Sequence, residues 1–247
     1  REGWPDSASR DVVMRRFLGM DERSDYDARN PNVQRTWLLG RIAAKDAVRD
    51  LLWRSGSNAR IFPVEVTVTN DAEGAPHATA PDDSDVRVSI AHTAGLGVAI
   101  AARGTDVGID IERIEDRPDS FELAALSKKE RARFEALPDI DRQSVRDVEL
   151  TRWWAAKEAA AKAAGTGMQG RPKDWKVVEI DGDRLRIGDR WFATTRLGSE
   201  HVVAWSEIDL PAARPGQTDR TEHHEQDEHN EDHEDHEDHE DHEDHED

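Results

Sequence analysis

The sequence of 247 residues contains no cysteine and no apolar run long enough to cross a membrane. Without cysteine the chain can form neither a disulfide framework nor a thiolate metal site, and it has no thiol nucleophile. A membrane-spanning helix needs about 20 consecutive apolar residues. We therefore expect a cytoplasmic protein that does not associate with a membrane.

Basic residues are missing from residues 221–247, which hold 16 acidic residues and 8 histidines. The whole chain has a formal net charge of −20, but without this tail it has 38 acidic and 34 basic residues, a net charge of −4. The remaining chain is therefore close to neutral, and nothing in it indicates a nucleic-acid-binding surface.

The tail repeats His-Glu-Asp, a composition that cannot supply a hydrophobic core. We therefore expect residues 211–247 to be disordered. One interpretation is that imidazole and carboxylate groups of the tail bind Zn2+ or Ni2+. The other is that the tail is a polyanion that keeps the protein in solution, and the sequence leaves both open.

Hydrophobic periodicity predicts two long helices and two groups of strands. Apolar residues recur at helical spacing in residues 32–54, and an Ala-rich pattern predicts a second helix from Asp141 to Ala164. Period-two alternation predicts strands at residues 61–69, 86–91, 98–102 and 107–113, and a meander over residues 177–205. The pattern by itself indicates a mixed α and β fold.

Two carboxylates lie two residues apart on the predicted strand at residues 107–113. Asp110 and Glu112 leave the same face of that strand, and two carboxylates at one point repel each other unless a cation or a proton lies between them. Mg2+ is the usual occupant, because it takes oxygen ligands and keeps positions free for water and phosphate. A solvated strand face is the alternative.

Glu158 and Lys162 lie four residues apart on the second helix and share one of its faces. A carboxylate beside a lysine suits a metal-bound diphosphate, and an ordinary surface ion pair is the alternative. His92 ends a predicted strand, where it either contacts a phosphate or has a structural role.

Several motifs together resemble those of the 4'-phosphopantetheinyl transferases. Residues 108–112 read G-I-D-I-E and residues 154–162 read W-A-A-K-E-A-A-A-K, which match the family's G-[IV]-D-x-E and W-x-x-K-E-[AS]-x-x-K motifs. Shorter matches lie in the family's order at residues 35–41, 74–76, 88–93 and 127–130. The resemblance is to the surfactin-synthetase-activating type. It implies an α+β fold of two similar α/β halves that form a pseudo-dimer, with the active site at their junction.

The resemblance also implies domains and roles for individual residues. The N-terminal half would be residues 1–104, and the C-terminal half with the metal site would be residues 105–210. Asp110, Glu112 and Glu158 would bind Mg2+, with Mn2+ as the alternative ion, and the catalytic residues would be Glu158, Lys162 and His92. The residues expected to contact coenzyme A are Arg35, Thr36, Arg41, Ala91, His92, Lys157 and Lys162.

The implied activity is transfer of the 4'-phosphopantetheine moiety of coenzyme A to a serine of an apo acyl, peptidyl or polyketide carrier protein, with release of 3',5'-ADP. Two substitutions depart from the family pattern, since Ala91 replaces a serine and Ala75 a basic residue. A catalytically weak module that binds carrier proteins or sequesters metal is therefore the alternative. The N-terminal sequence leads us to expect either an excised domain or the C-terminal end of a larger synthase, such as one of fatty-acid or polyketide biosynthesis.

Overall fold

The computed structural model describes Trp4 and residues 6–81, 83–93 and 95–208. The chain divides into two units, Arg1–Ala212 and Ala213–Asp247, and the acidic tail lies outside the described residues. The helices are α1 (Ser7–Phe17), α2 (Met20–Asp27), α3 (Pro31–Arg54), α4 (Asp119–Ala125), α5 (Lys128–Phe134) and α6 (Gln143–Ala163). The strands are β1 (Thr67–Asn70), β2 (Pro76–Ala80), β3 (Asp83–Thr93), β4 (Leu96–Arg103), β5 (Ile109–Arg113), β6 (Val177–Asp181), β7 (Arg184–Ile187), β8 (Arg190–Leu197) and β9 (His201–Ser206).

The first four strands form an antiparallel sheet in the order β1-β2-β3-β4. At the start of helix α3, the side chain of Asn30 accepts a hydrogen bond from the amide of Asn32, and Pro31 lies in the first turn. Both features favour a helix start. The helix packs on β3 and β4 at very short range. A Cβ built on Gly97 of β4 would lie 2.8 Å from the carbonyl oxygen of Leu39.

The other five strands form an antiparallel sheet in the order β5-β9-β8-β7-β6, and α6 packs across it. The contact between β5 and α6 is closer still. A Cβ built on Gly108 would lie 1.8 Å from the carbonyl oxygen of Ala159, so only glycine fits here. The glycine that precedes the D-x-E pair thus lets β5 lie directly against the backbone of α6.

The two sheets meet where β3 packs on β5. Ser89 Oγ on β3 accepts a hydrogen bond from the amide of Ile109 on β5 at 3.1 Å. Around this contact, Ala91, Ile109, Ile111 and Val203 form a buried apolar cluster. One face of β5 is therefore used for packing, which leaves Asp110 and Glu112 on the side of α6.

The same buried ion pair occurs twice along the chain, and we call each copy a brace. In the first brace, Lys45 of α3 contacts Glu22 of α2 at 2.5 Å and donates to the carbonyl of Phe17, the last residue of α1. The carboxylate of Glu22 also accepts hydrogen bonds from the amides of Gly19 and Val68. It therefore connects the start of α2 and strand β1 to Lys45.

The second brace has the same connections one repeat later. Lys157 of α6 contacts Glu130 of α5 at 2.7 Å and donates to the carbonyl of Ala125, the last residue of α4. Glu130 accepts the amides of Ser127 and Val177. Both lysines are fully buried. Residues 7–70 and residues 119–181 each contain two short helices, one long helix and a following strand, and both segments have the same brace.

The predicted α+β fold is confirmed, whereas several boundaries are corrected. The strand expected at residues 61–69 is wrong in its first part, because Pro63–Glu65 forms a 3-10 helix and β1 covers only Thr67–Asn70. Helices α2 and α4 and strand β2 were not predicted. The domain boundaries and the pseudo-dimer stay predictions. In the part of the chain that the structure describes, no helix is both long and apolar enough to span a membrane.

The variant Gly108→Ala is expected to lose stability, because its methyl group would collide with backbone that cannot rotate away. Overpacking of this kind costs about 1–3 kcal/mol, and we expect the upper part of that range in urea unfolding. Gly19→Ala is the matched control, since its nearest neighbour would lie at 3.7 Å. Equal stability of the two variants would contradict the close β5–α6 contact.

The variant Lys45→Met is expected to be destabilised by about 3–5 kcal/mol, because it leaves the buried carboxylate of Glu22 without its cation. Arg15→Met removes an exposed i,i+4 pair with Asp11 and should change stability little. Urea unfolding of both variants measures the contrast. A Lys45→Met protein as stable as Arg15→Met would show that the brace does not support the fold.

Candidate active site

Asp110 is the second residue of β5 and is 6% exposed. Lys162 of α6 donates to Asp110 Oδ1 at 2.7 Å and to the carbonyl of Ile109 at 3.3 Å. The other carboxylate oxygen, Oδ2, is buried and has no hydrogen-bond partner. Asp110 therefore holds a lysine with one oxygen and presents the other as an unused acceptor.

Glu112 lies two residues further along β5 on the same face. Its Oε1 accepts a hydrogen bond from the indole of Trp154 at 3.1 Å, and its Oε2 accepts one from Arg117 at 3.0 Å. The carboxylate is thus held on both oxygens by side chains of low exposure.

Glu158 is half-buried on α6, one turn before Lys162. Burial raises the pKa of its carboxyl group, and the negative charges of Asp110 and Glu112 raise it further against the effect of Lys162. Burial also raises the pKa of Asp110, opposed by Lys162, and the pKa of Glu112, to which Asp110 adds. The three carboxylates therefore form one electrostatically coupled cluster.

The donor chemistry of this cluster fits a hard divalent cation. The negative charges of the three carboxylates repel one another, and carboxylate oxygens are suitable donors for such a cation. One of these oxygens, Oδ2 of Asp110, has no hydrogen-bond partner. Their spacing is not that of a closed cage, since no three His, Cys, Asp or Glu side chains among the described residues are grouped to hold a metal ion. In this structure, Lys162 and Arg117 supply the positive charge.

A cavity of about 230 Å³ lies beside Lys162. Its lining includes Ala75, Pro76 and His77 from the turn into β2, Arg87 from β3, and Lys162 with Gly165 at the end of α6. The turn at residues 74–76 and the end of α6 are far apart in sequence, and the fold brings them to one cavity. Lys162 links this cavity to the carboxylates.

Lys157 lies in the second brace, where its ammonium group is fully buried against Glu130 and also donates to the carbonyls of Ala125 and Pro172. Burial lowers the pKa of Lys157, while Glu130 opposes that change. Lys157 therefore anchors α6, and its contact with coenzyme A stays a prediction.

The methyl group of Ala91 lies in the apolar cluster between the sheets with Ile109, Ile111 and Val203, and Ala91 is 4% exposed. The side chain therefore packs β3 against β5, and the contact of Ala91 with coenzyme A stays a prediction. His92 follows on the opposite strand face and is exposed, so its phosphate contact stays a prediction.

The predicted nucleotide-binding residues of α3 differ in exposure. Arg35 is exposed and Thr36 is half-buried, with its hydroxyl donating to the carbonyl of Val33 at 3.1 Å. Arg41 is buried, stacks on Trp37 at 4.8 Å and donates to Asn70 at 2.9 Å. The predicted contacts of these residues with coenzyme A are not tested by this geometry.

Two side chains of the site were missed by sequence reasoning. Arg117 contacts Glu112 from the segment after β5, and Phe121 of α4 packs on both Arg117 and Trp154. Neither belongs to a periodic pattern that points to Glu112. The one available signal was a basic residue shortly after the D-x-E strand, which is too common to identify a contact.

Comparison with known proteins relates this site to one superfamily. Residues 106–215 match the family model of the 4'-phosphopantetheinyl transferase superfamily. A holo-[acyl-carrier-protein] synthase from Exiguobacterium sibiricum is 28% identical over 104 residues, which are 41% of this chain and 80% of that protein. The matched residues hold β5, α6 and all three carboxylates. Residues 106–215 are thus similar to the 4'-phosphopantetheinyl transferase superfamily, and the two matches together support an enzyme of the phosphopantetheinyl transferase type.

Proposed function

We propose that this enzyme transfers the 4'-phosphopantetheine moiety of coenzyme A to a serine of an apo acyl, peptidyl or polyketide carrier protein in the cytoplasm. The reaction is Mg2+-dependent and releases 3',5'-ADP. The observation that carries this proposal is the ion pair of the buried Asp110 with the half-buried Lys162 at 2.7 Å, which interacts electrostatically with Glu112 and Glu158 inside the matched region.

Charge neutralisation is the main task of such a site, because the reacting diphosphate is crowded with negative charge. Asp110, Glu112 and Glu158 would hold Mg2+, which when bound supplies positive charge to the diphosphate oxygens. Lys162 is 30% exposed and lines the 230 Å³ cavity. Its ammonium group is therefore available both to Asp110 and to a phosphate in that cavity, where it stabilises charge on the departing 3',5'-ADP.

The serine nucleophile comes from the carrier protein, so the enzyme has to supply only a proton acceptor. Glu158 is our candidate for that role, because it is half-buried on the face of α6 that carries Lys162. We assign His92 to a phosphate contact from the exposed end of β3, and Arg35, Thr36 and Arg41 to the nucleotide.

We also propose that residues 1–104 and 105–210 are two similar halves that form a pseudo-dimer. The repeated brace supports this, because its two copies occupy equivalent places in the two halves. The first copy pairs Lys45 with Glu22, and the second pairs Lys157 with Glu130. The cavity beside Lys162 is lined by β2 and β3 of the first half and by the end of α6 in the second half, which supports an active site at the junction of the halves.

The direct test is incubation of the protein with coenzyme A, Mg2+ and an apo carrier protein. We expect the intact mass of the carrier protein to increase by one phosphopantetheine group, and a carrier variant with alanine at the acceptor serine to stay unmodified. A chelator should prevent the gain and added Mg2+ should restore it. An unmodified carrier protein under all conditions would favour the alternative of a catalytically weak carrier-binding or metal-sequestering module.

The variants Asp110→Asn and Glu158→Gln keep the size of each side chain and remove its charge. Each is expected to lower the transfer rate by at least about 100-fold, the usual effect of removing one charge-stabilising group. Glu179→Gln is the matched control, because Glu179 pairs with Arg186 at 2.5 Å outside the carboxylate cluster. Near-normal rates in the first two variants at limiting Mg2+ would refute the ligand assignment.

The tail is the basis of a separate proposal, that it binds Zn2+ or Ni2+ through histidines that recur every third residue from His233 to His245. Imidazole and carboxylate are suitable ligands for both ions. The tail contributes none of the residues assigned to transfer, so this binding and the transfer reaction are independent activities.

A further inference from the structure

Four side chains form a closed ring of contacts, which we call the clamp: Glu112, Arg117, Phe121 and Trp154. Glu112 accepts hydrogen bonds from Arg117 at 3.0 Å and from Trp154 at 3.1 Å. The guanidinium of Arg117 stacks on Phe121 at 4.4 Å, and Phe121 packs edge-on against Trp154 at 4.9 Å. Each member therefore touches two others, so no side chain of the ring can turn without breaking a contact.

Arg117 is more than a surface ion pair. Its side chain is 11% exposed, whereas exposed pairs contribute little because solvent and salt screen them. A planar guanidinium stacked on an aromatic ring has a fixed direction for its donors. The clamp therefore fixes the plane of the Glu112 carboxylate.

Asp110 and Glu112 differ in how their oxygens are used. Asp110 keeps one oxygen without a partner, while both oxygens of Glu112 accept a hydrogen bond. A carboxylate has about four lone-pair sites, so Glu112 still has acceptor capacity. The direction of that remaining capacity is set by Arg117 and Trp154.

We propose that Arg117 is a positioning residue that acts through Glu112, orienting this carboxylate towards the divalent cation shared with Asp110 and Glu158. The inference rests on the proposed function for the identity of the cation site and adds a residue that no motif contains. Outer partners of metal ligands orient the ligand and change metal affinity by about 10–100-fold when they are replaced.

A purely electrostatic role of Arg117 predicts the opposite change in cation affinity. If Arg117 acted only through its charge, it would repel a cation, and its removal would strengthen cation binding. If Arg117 orients Glu112, its removal weakens binding although a repulsive charge has been lost. Arg117→Lys separates the two effects further, because lysine keeps the charge but lacks the planar stack on Phe121.

The experiment measures Mn2+ binding to the full chain by electron paramagnetic resonance, which detects free Mn2+ without any transfer reaction. The Asp110→Asn variant supplies the baseline, because it keeps the histidine-rich tail and lacks the central ligand. After that baseline is subtracted, Arg117→Ala should bind Mn2+ about 10–100-fold more weakly than the wild type, and Arg117→Lys should recover only a small part of the loss. Arg186→Ala is the control, a stacked arginine on Trp191 that pairs with Glu179, and should change nothing.

In the transfer assay, Arg117→Ala should raise the Mg2+ concentration needed for half-maximal rate, with the KM for coenzyme A unchanged. Circular dichroism and thermal melting show whether each variant is folded, and Arg117→Lys and Phe121→Leu provide the test if Arg117→Ala does not fold. Unchanged or tighter Mn2+ binding in Arg117→Ala, or wild-type binding no stronger than in Asp110→Asn, overturns the inference. A wild type that binds Mn2+ in an Arg117-dependent way but transfers nothing would refute only the proposed function.

Discussion

The backbone contact between β5 and α6 is the constraint on which the candidate site depends. Gly108 lies where any side chain would overlap the carbonyl of Ala159, so strand and helix touch without intervening atoms. At that separation Asp110 can reach Lys162, and Glu112 can reach Trp154. The short carboxylate side chains of β5 reach their partners on α6 because the two backbones are close.

Helix α6 carries different tasks on different faces. Lys157 joins it to α5 through Glu130 inside the core, while Trp154, Glu158 and Lys162 face β5 and the site. Buried ion pairs gain little net stability, but breaking one leaves an uncompensated charge, so the brace strongly favours one position of the helix. The clamp around Glu112 then adds α4 to the same arrangement through Phe121.

The sequence predicted those parts of the site that depend on periodicity within one element. Asp110 with Glu112, and Glu158 with Lys162, followed from the strand and helix repeats. The brace formed by Lys157 did not follow from the repeats, although adjacent helix residues point about 100° apart and Lys157 therefore lies on a different face from Glu158 and Lys162. Arg117 could not be predicted, because its contact with Glu112 depends on the path of the chain between β5 and α4.

The repeated brace has a consequence for which substitutions each of its two copies can tolerate. The first brace, Lys45 with Glu22, contains no residue of the carboxylate cluster, so substitutions there act mainly on the folding free energy. The second brace includes Lys157, the neighbour of Glu158 in sequence, so a change in it disturbs stability and catalytic geometry together. Excess stability offsets the cost of substitutions that serve function. Stability that the first brace contributes can therefore offset substitutions near the carboxylates, whereas the second brace is tied to them through Lys157.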